Sequence, residues 1–95
     1  MVRELILTDR FKKSFSKFVK KHPKLKSNIY KTLELMKEDV YSQFLSTHKL
    51  SGRLSVMRAC SCGYDCRIIF SIEKPSDSTN EVIMLIDIGT HEEVY

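Results

Sequence analysis

The feature that most constrains this chain lies near its end, where residues 82–86 read Val-Ile-Met-Leu-Ile without a polar break. An apolar run of strand-forming residues, closed by Gly89, is expected of a strand inside a sheet, covered on both faces or bowed around a core. The two strands just before it read as a hairpin. Residues 53–60 (Arg-Leu-Ser-Val-Met-Arg-Ala-Cys) turn through Ser-Cys-Gly-Tyr and return as residues 65–72 (Asp-Cys-Arg-Ile-Ile-Phe-Ser-Ile). In the outgoing strand Leu54, Val56, Arg58 and Cys60 alternate with Ser55, Met57, Ala59 and Ser61, which makes both faces mixed. Residues 73–80 then connect to the last strand, 81–88, with Pro75 and a Ser/Asp/Thr/Asn cluster as the strongest turn signal in the chain. Whatever precedes residue 53 has to cover this three-strand meander.

Residues 3–8 form a short strand, with Ile6 facing one way and Leu5 and Leu7 the other. Thr8 or Asp9 caps a helix by accepting a backbone N–H of its first turn. Phe11, Phe15, Phe18, Val19 and His22 recur at helical spacing and mark the buried face, while Lys12, Lys13, Lys17, Lys20 and Lys21 cover the other. Pro23 ends this helix at His22 or opens the next, and His22 at the junction reads as a structural or capping residue. The second helix spans about residues 23–36 with Leu25, Ile29, Leu33 and Met36 as its stripe. The pair forms an αα-hairpin laid on one face of the sheet. Residues 37–49 are less periodic; Tyr41, Phe44 and Leu45 are expected to pack under the helices from a turn or short helix, and Gly52 marks a tight turn. The order β-α-α-β-β-β predicts an α+β fold, one domain over residues 1–95, with a four-stranded mixed sheet.

A chain of 95 residues holds one core. At 42% hydrophobic and 29% charged it reads as an ordinary globule. No apolar window reaches the ~18 residues of a membrane span, and no apolar run follows Met1-Val2-Arg3-Glu4, so no signal peptide, no membrane association and a cytoplasmic location are expected. Cys60, Cys62 and Cys66 are an odd set that does not suggest a secreted disulfide framework. As C-x-C-x3-C they could bind zinc with His48 as fourth ligand, but the spacing is not that of a zinc ribbon or knuckle. The expectation is no metal and no cofactor, with small-residue packing at the hairpin end and Cys62 or Cys66 exposed and oxidisable. Charge is uneven: residues 1–31 hold ten Lys/Arg against Glu4 and Asp9, a local +8, and residues 32–95 hold six against ten acids, a local −4. So lopsided a surface suits a nucleic acid or an acidic protein partner.

Cleavage of an RNA phosphodiester needs a base for the 2′-hydroxyl, an acid for the leaving 5′-oxygen and cations for the charge that builds on phosphorus. Histidine serves either proton role near neutral pH, and arginine offers a planar fork that matches phosphate. His48, Arg58, Arg67 and His91 have these chemistries, and the topology brings them from linker, hairpin and C-terminal end to one edge of the sheet. Lys49 and Arg53 stand beside His48. Asp65 is either a plain turn residue or the carboxylate that orients a catalytic His or Arg. Tyr95 frays or stacks on a base. Each of these residues has an ordinary surface reading as well.

Four signals in this order resemble the RelE/ParE superfamily of small bacterial toxins, nearest its YafQ-like branch. They are H-x-L-x-G at His48, Leu50 and Gly52; Arg58 in the following strand; D-x-R-I-I-F from Asp65 to Phe70; and G-T-H-x-x-[VL]-[FY] from Gly89 to Tyr95. The resemblance implies a ribosome-dependent endoribonuclease that cuts mRNA in the A site, contacts ribosomal RNA and is held inactive by an antitoxin. It assigns His91 the leading proton-transfer role, His48 a second acid/base or phosphate-binding role, and Asp65 the part of the hairpin Asp. Arg67 matches a phosphate-binding Arg of the RelE pattern, and Tyr95 the terminal aromatic. Two positions depart from the branch: Ser61 stands where a hairpin His is expected, and Cys66 where a Trp is. The alternatives are a non-catalytic ParE-type inhibitor of DNA gyrase and a degenerate protein that only binds RNA or antitoxin.

Overall fold

The computed structural model describes residues 3–50, 57–76 and 80–94. Strand β1 (Glu4–Leu7) leads into helix α1 (Asp9–Lys21), a 3₁₀ turn (Pro23–Leu25) and helix α2 (Lys26–Glu38). A second 3₁₀ turn (Gln43–Leu45) precedes strands β2 (His48–Lys49), β3 (Arg58–Gly63), β4 (Cys66–Glu73) and β5 (Val82–Gly89), and helix α3 (His91–Val94) follows. The α+β class and the order of elements match the expectation. The sheet, however, has five strands in the order β1-β5-β4-β3-β2, because His48 and Lys49 pair antiparallel with Ala59 and Arg58 at its edge. A two-residue strand has no alternation to reveal it. β1 runs parallel to β5 and every other pair is antiparallel, so the sheet is mixed.

Thr8 is the residue that joins helix to sheet. Its hydroxyl accepts the Phe11 N–H at 3.2 Å and donates to the Leu85 carbonyl at 2.7 Å, capping α1 and tying it to β5. Phe11 and Phe18 are buried and Phe15 is half-buried, as the spacing predicts. Pro23 disfavours helical backbone at His22, which sits at φ −132° and ψ 62° with its ring 4.6 Å from that of Phe18. The second helix therefore begins with a 3₁₀ turn and becomes α-helical only at Lys26, burying Ile29 and Met36.

The core is sealed between the helices and one face of the sheet by these side chains with Val40, Leu45, Cys60, Ile68, Phe70, Ile83, Leu85 and Ile88. The expectation for residues 37–49 is corrected in part. Leu45 is buried, but Tyr41 and Phe44 are 55% and 78% exposed, and Val40 takes the inner place. The Ser42 hydroxyl caps the 3₁₀ turn through the Phe44 N–H, which directs Phe44 outward and Leu45 inward. The last strand follows the bowed reading. Ile83 and Leu85 are buried and alternate with half-buried Val82, Met84 and Ile86, and the register with β4 shifts so that Ile86 has no partner there. No helix among the described residues is long and apolar enough to cross a membrane. Gly52 and the strand expected over residues 53–56 lie outside the described residues.

Candidate active site

The β3–β4 hairpin sets the site through one irregularity. Gly63 pairs with Cys66 across the turn residues Tyr64 and Asp65. An unshifted ladder would next place Cys62 opposite Arg67, and the side chains of Arg58, Cys60 and Cys62 would all share Arg67's face. The register shifts instead: Ser61 faces Arg67, Arg58 faces Phe70, and Cys62 has no partner in the ladder. Cross-strand partners project to the same face. Arg58 therefore lies on the helix face with Phe70, its guanidinium 5.7 Å from the Tyr41 ring, and Arg67 lies on the other. The two arginines that the sequence grouped around one phosphate thus leave the sheet on opposite faces.

On Arg67's face, a row runs from Ser61 through Arg67 to Gly89 across β3, β4 and β5. Gly89 leads directly into α3, and the hairpin turn and α3 enclose an open cleft of about 450 Å³. Arg67, Asp65, Tyr64, Ser61, His91 and Glu92 are among its lining residues. Arg67 is held by one nitrogen, Nη1, which donates to the Cys66 carbonyl at 3.0 Å and the Ser61 hydroxyl at 3.4 Å. The rest of its fork, Nε and Nη2, has no acceptor among the described residues. The residue at the departing position, Ser61, thus serves as a prop for the arginine.

His91 is held through its backbone. Its N–H donates to Asp65 Oδ1 at 3.0 Å, so the hairpin carboxylate anchors the first residue of α3. Asp65 adopts φ 50° in the left-handed region, which aspartate tolerates better than most residues. Thr90 and Glu93 close a capping box: the Thr90 N–H donates to Glu93 Oε1 at 2.9 Å and the Glu93 N–H to the Thr90 hydroxyl at 3.3 Å. The Thr90 N–H also holds the Glu93 carboxyl below the usual carboxylate range, with smaller help from the Thr90 hydroxyl, Lys21 and His22. Gly89 is required by close approach, since a Cβ there would lie 3.0 Å from Glu93 Cβ and 3.1 Å from Val94 Cγ1.

The remaining expected residues lie elsewhere. His48 pairs with Ala59 and so shares Arg67's face, but on the edge strand, roughly 12 Å of backbone away by strand spacing. Its Nδ1 is 3.1 Å from the Ser46 carbonyl. Lys49 pairs with Arg58 on the helix side and is exposed. Arg53 and Tyr95 lie outside the described residues. Sequence reasoning missed Tyr64, which is 94% exposed at the hairpin tip.

The cysteines also differ from expectation. Cys62 and Cys66 are bonded to each other and buried, and Cys60 points into the core with its sulfur 3.8 Å from that of Met36. Burial pushes the Cys60 thiol up to about 12, against a small opposing effect of Arg67, so it stays protonated and unreactive at neutral pH. The three sulfurs do not form a ligand set, and among the described residues no three His, Cys, Asp or Glu side chains converge to hold a metal ion.

On the far flank of α3, Lys17 and Lys21 with Ser14, Asp87 and Glu93 line a smaller hollow of about 180 Å³. Lys12, Lys13, Lys17, Lys20, Lys21, Lys24, Lys26 and Lys31 are all exposed, and Lys21 comes within 4.0 Å of Glu93.

The fold and this site can be set beside known proteins. A metal-bound toxin from Helicobacter pylori is 24% identical, with complete coverage of both chains and a TM-score of 0.73. YafQ from E. coli strain BL21(DE3) is 15% identical over 98% of each chain, with a TM-score of 0.75. In the E. coli DinJ–YafQ toxin–antitoxin complex the matching chain is 16% identical, covering 100% of this chain and 99% of that one, with a TM-score of 0.73. No curated protein sequence matches the chain. The family model described as "Bacterial toxin of type II toxin-antitoxin system, YafQ" matches residues 3–95, which takes in the hairpin, Asp65, Arg67 and His91. The chain belongs to this YafQ toxin family, within the RelE/ParE-type toxin fold.

Proposed function

We propose that the protein is the toxin of a toxin–antitoxin pair and a ribosome-dependent endoribonuclease that cuts mRNA in the A site. The observation that carries this reading is the cleft that both His91 and Arg67 line. The 2′-oxygen of the RNA attacks the adjacent phosphorus, the bond to the 5′-oxygen breaks, and the products are a 2′,3′-cyclic phosphate and a 5′-hydroxyl. His91 is the proton-transfer group. Arg67, propped at Nη1, turns Nε and Nη2 to the phosphate as its charge grows. Asp65 is a positioning residue that acts through the His91 backbone. His48, on the same face at the sheet edge, serves as a second acid/base or phosphate contact further along the strand. The reaction uses no metal ion, because side chains handle both protons and charge. Arg58 and Lys49, on the other face, are left as peripheral contacts.

The exposed lysines of α1 and α2 suit a mostly electrostatic contact with ribosomal RNA that weakens with salt. The same surface suits an acidic or amphipathic segment of an antitoxin, the kind of partner named in the E. coli DinJ–YafQ complex. Primer extension on a defined message with purified ribosomes tests the proposal. Cleavage by the wild type that needs ribosomes and disappears in His91→Ala supports it. An intact message together with inhibited gyrase supercoiling would replace it with the gyrase reading. Binding with neither effect would leave only an RNA- or antitoxin-binding protein.

A further inference from the structure

We propose that Cys62 and Cys66 are positioning residues of the cleft. Their bond holds the bulged register that sets Ser61 against Arg67 and carries Asp65 to the His91 amide. The effect on activity rests on the reading of the cleft as an RNA-cleaving site, and the geometry does not. Cys62 is the residue left without a ladder partner between Ser61 and Gly63, and its sulfur is bonded to Cys66 instead. The sequence Ser61-Cys62-Gly63-Tyr64-Asp65-Cys66-Arg67 places each of Ser61, Asp65 and Arg67 next to one of the bonded cysteines. The cysteine side chains face the core, 3% and 0% exposed, while Ser61 and Arg67 project from the opposite face of the same strands. The Cys66 carbonyl also holds Arg67 Nη1.

Opening the bond removes what holds the bulge: Cys62 has no ladder partner, and its place between Ser61 and Gly63 then rests on core packing alone. The part that yields is the turn, where Gly63 at φ 140° and Asp65 at φ 50° already hold uncommon conformations and Tyr64 lies in solvent. Asp65 then leaves the His91 amide, and Ser61 loses its place opposite Arg67.

A dithiol reductant of the dithiothreitol or thioredoxin type carries out this opening. One of its thiolates attacks a cysteine sulfur and forms a mixed disulfide, and the other cysteine leaves as a thiolate that takes a proton. The second thiol of the reductant then resolves the mixed disulfide. Two electrons and two protons pass to the protein, which ends with two thiols, and the reductant ends as a disulfide. Because both sulfurs are buried, exchange proceeds through opening of the turn.

The test uses the full chain, oxidised with glutathione disulfide, before and after dithiothreitol. Alkylation of the denatured protein should modify one thiol before reduction and three after; three before reduction would overturn the proposal. Exchange of the His91 amide, followed by NMR, should accelerate about tenfold on reduction, while the Ile83 and Leu85 amides keep their protection. Cys62→Ser/Cys66→Ser should match the reduced protein and ignore dithiothreitol, and Cys60→Ala should keep the response. An unchanged His91 amide would overturn the proposal, whether or not RNA is cut. With ribosomes, reduction should lower kcat about tenfold with little change in KM; absence of cleavage in both redox states would sink the nuclease reading and leave the exchange result to decide this one.

Discussion

The cleft and the lysine side of α1 stand on either flank of α3 and are built by different means. The cleft depends on contacts between residues far apart in the chain. Asp65 reaches the His91 amide across 26 positions, Ser61 props Arg67, and Gly89 admits α3 at close range. The lysine side depends on charge carried by exposed, independent side chains on consecutive helical turns. The first kind of surface should fail when one geometric relation is lost. The second should weaken by small, nearly additive steps that salt can imitate.

Losing the imidazole should have the largest effect. His91→Ala is expected to lower ribosome-dependent cleavage by about 10²–10⁴-fold, as for other general acid–base groups, with the thermal midpoint nearly unchanged. Arg67→Ala should follow at about 10²–10³-fold, the usual cost of one charge-stabilising donor. Arg58→Ala should change the rate less than about threefold, in line with other surface changes away from a site. An equal loss at both arginines would mean that the faces are not separated as the register requires.

Gly89→Ala tests the close approach of α3. The added methyl would press on Glu93 and Val94, so we expect about 1–3 kcal/mol of destabilisation in thermal or denaturant unfolding and a fall in cleavage with α3 displaced. On the other flank, Lys17→Ala and Lys21→Ala should each weaken binding only a few-fold and reduce the salt slope of RNA binding by about 1. The smallest effect expected is that of acid on α3. The Glu93 carboxyl is held below its ordinary 4.5, so its folded pKa is the lower one. Its contribution is complete above 4.5 and is lost only as pH falls through the depressed value. The protection factor of the Thr90 amide, its exchange relative to the intrinsic rate at each pH, should thus be steady at pH 5–7 and fall at lower pH, and in Glu93→Ala the protection should be missing throughout.

Much of this could be read from the residues because it follows from periodicity. Phe11, Phe15 and Phe18 announce α1, Pro23 announces its end, and the run from Val82 to Ile86 announces an interior strand. Alternation also groups Arg58 with Cys60 and Ala59 with Ser61. What it does not give is register, and one bulge at Cys62 decides which of these groups shares a face with Arg67. The edge strand β2 is too short to alternate, and the outward turn of Phe44 depends on a three-residue helix. The helix α3 had a readable signal, since Thr90-His91-Glu92-Glu93 is a capping-box pattern. It is one turn long, and without the Asp65 contact from the hairpin it would have little reason to form.

A double-mutant cycle on cleavage rate asks most directly whether His91 and Arg67 serve one phosphate in one transition state. If they do, His91→Ala/Arg67→Ala should be little slower than the worse of the two single variants, because either loss alone disables the site. Losses that multiply would show two independent contributions and contradict the shared site.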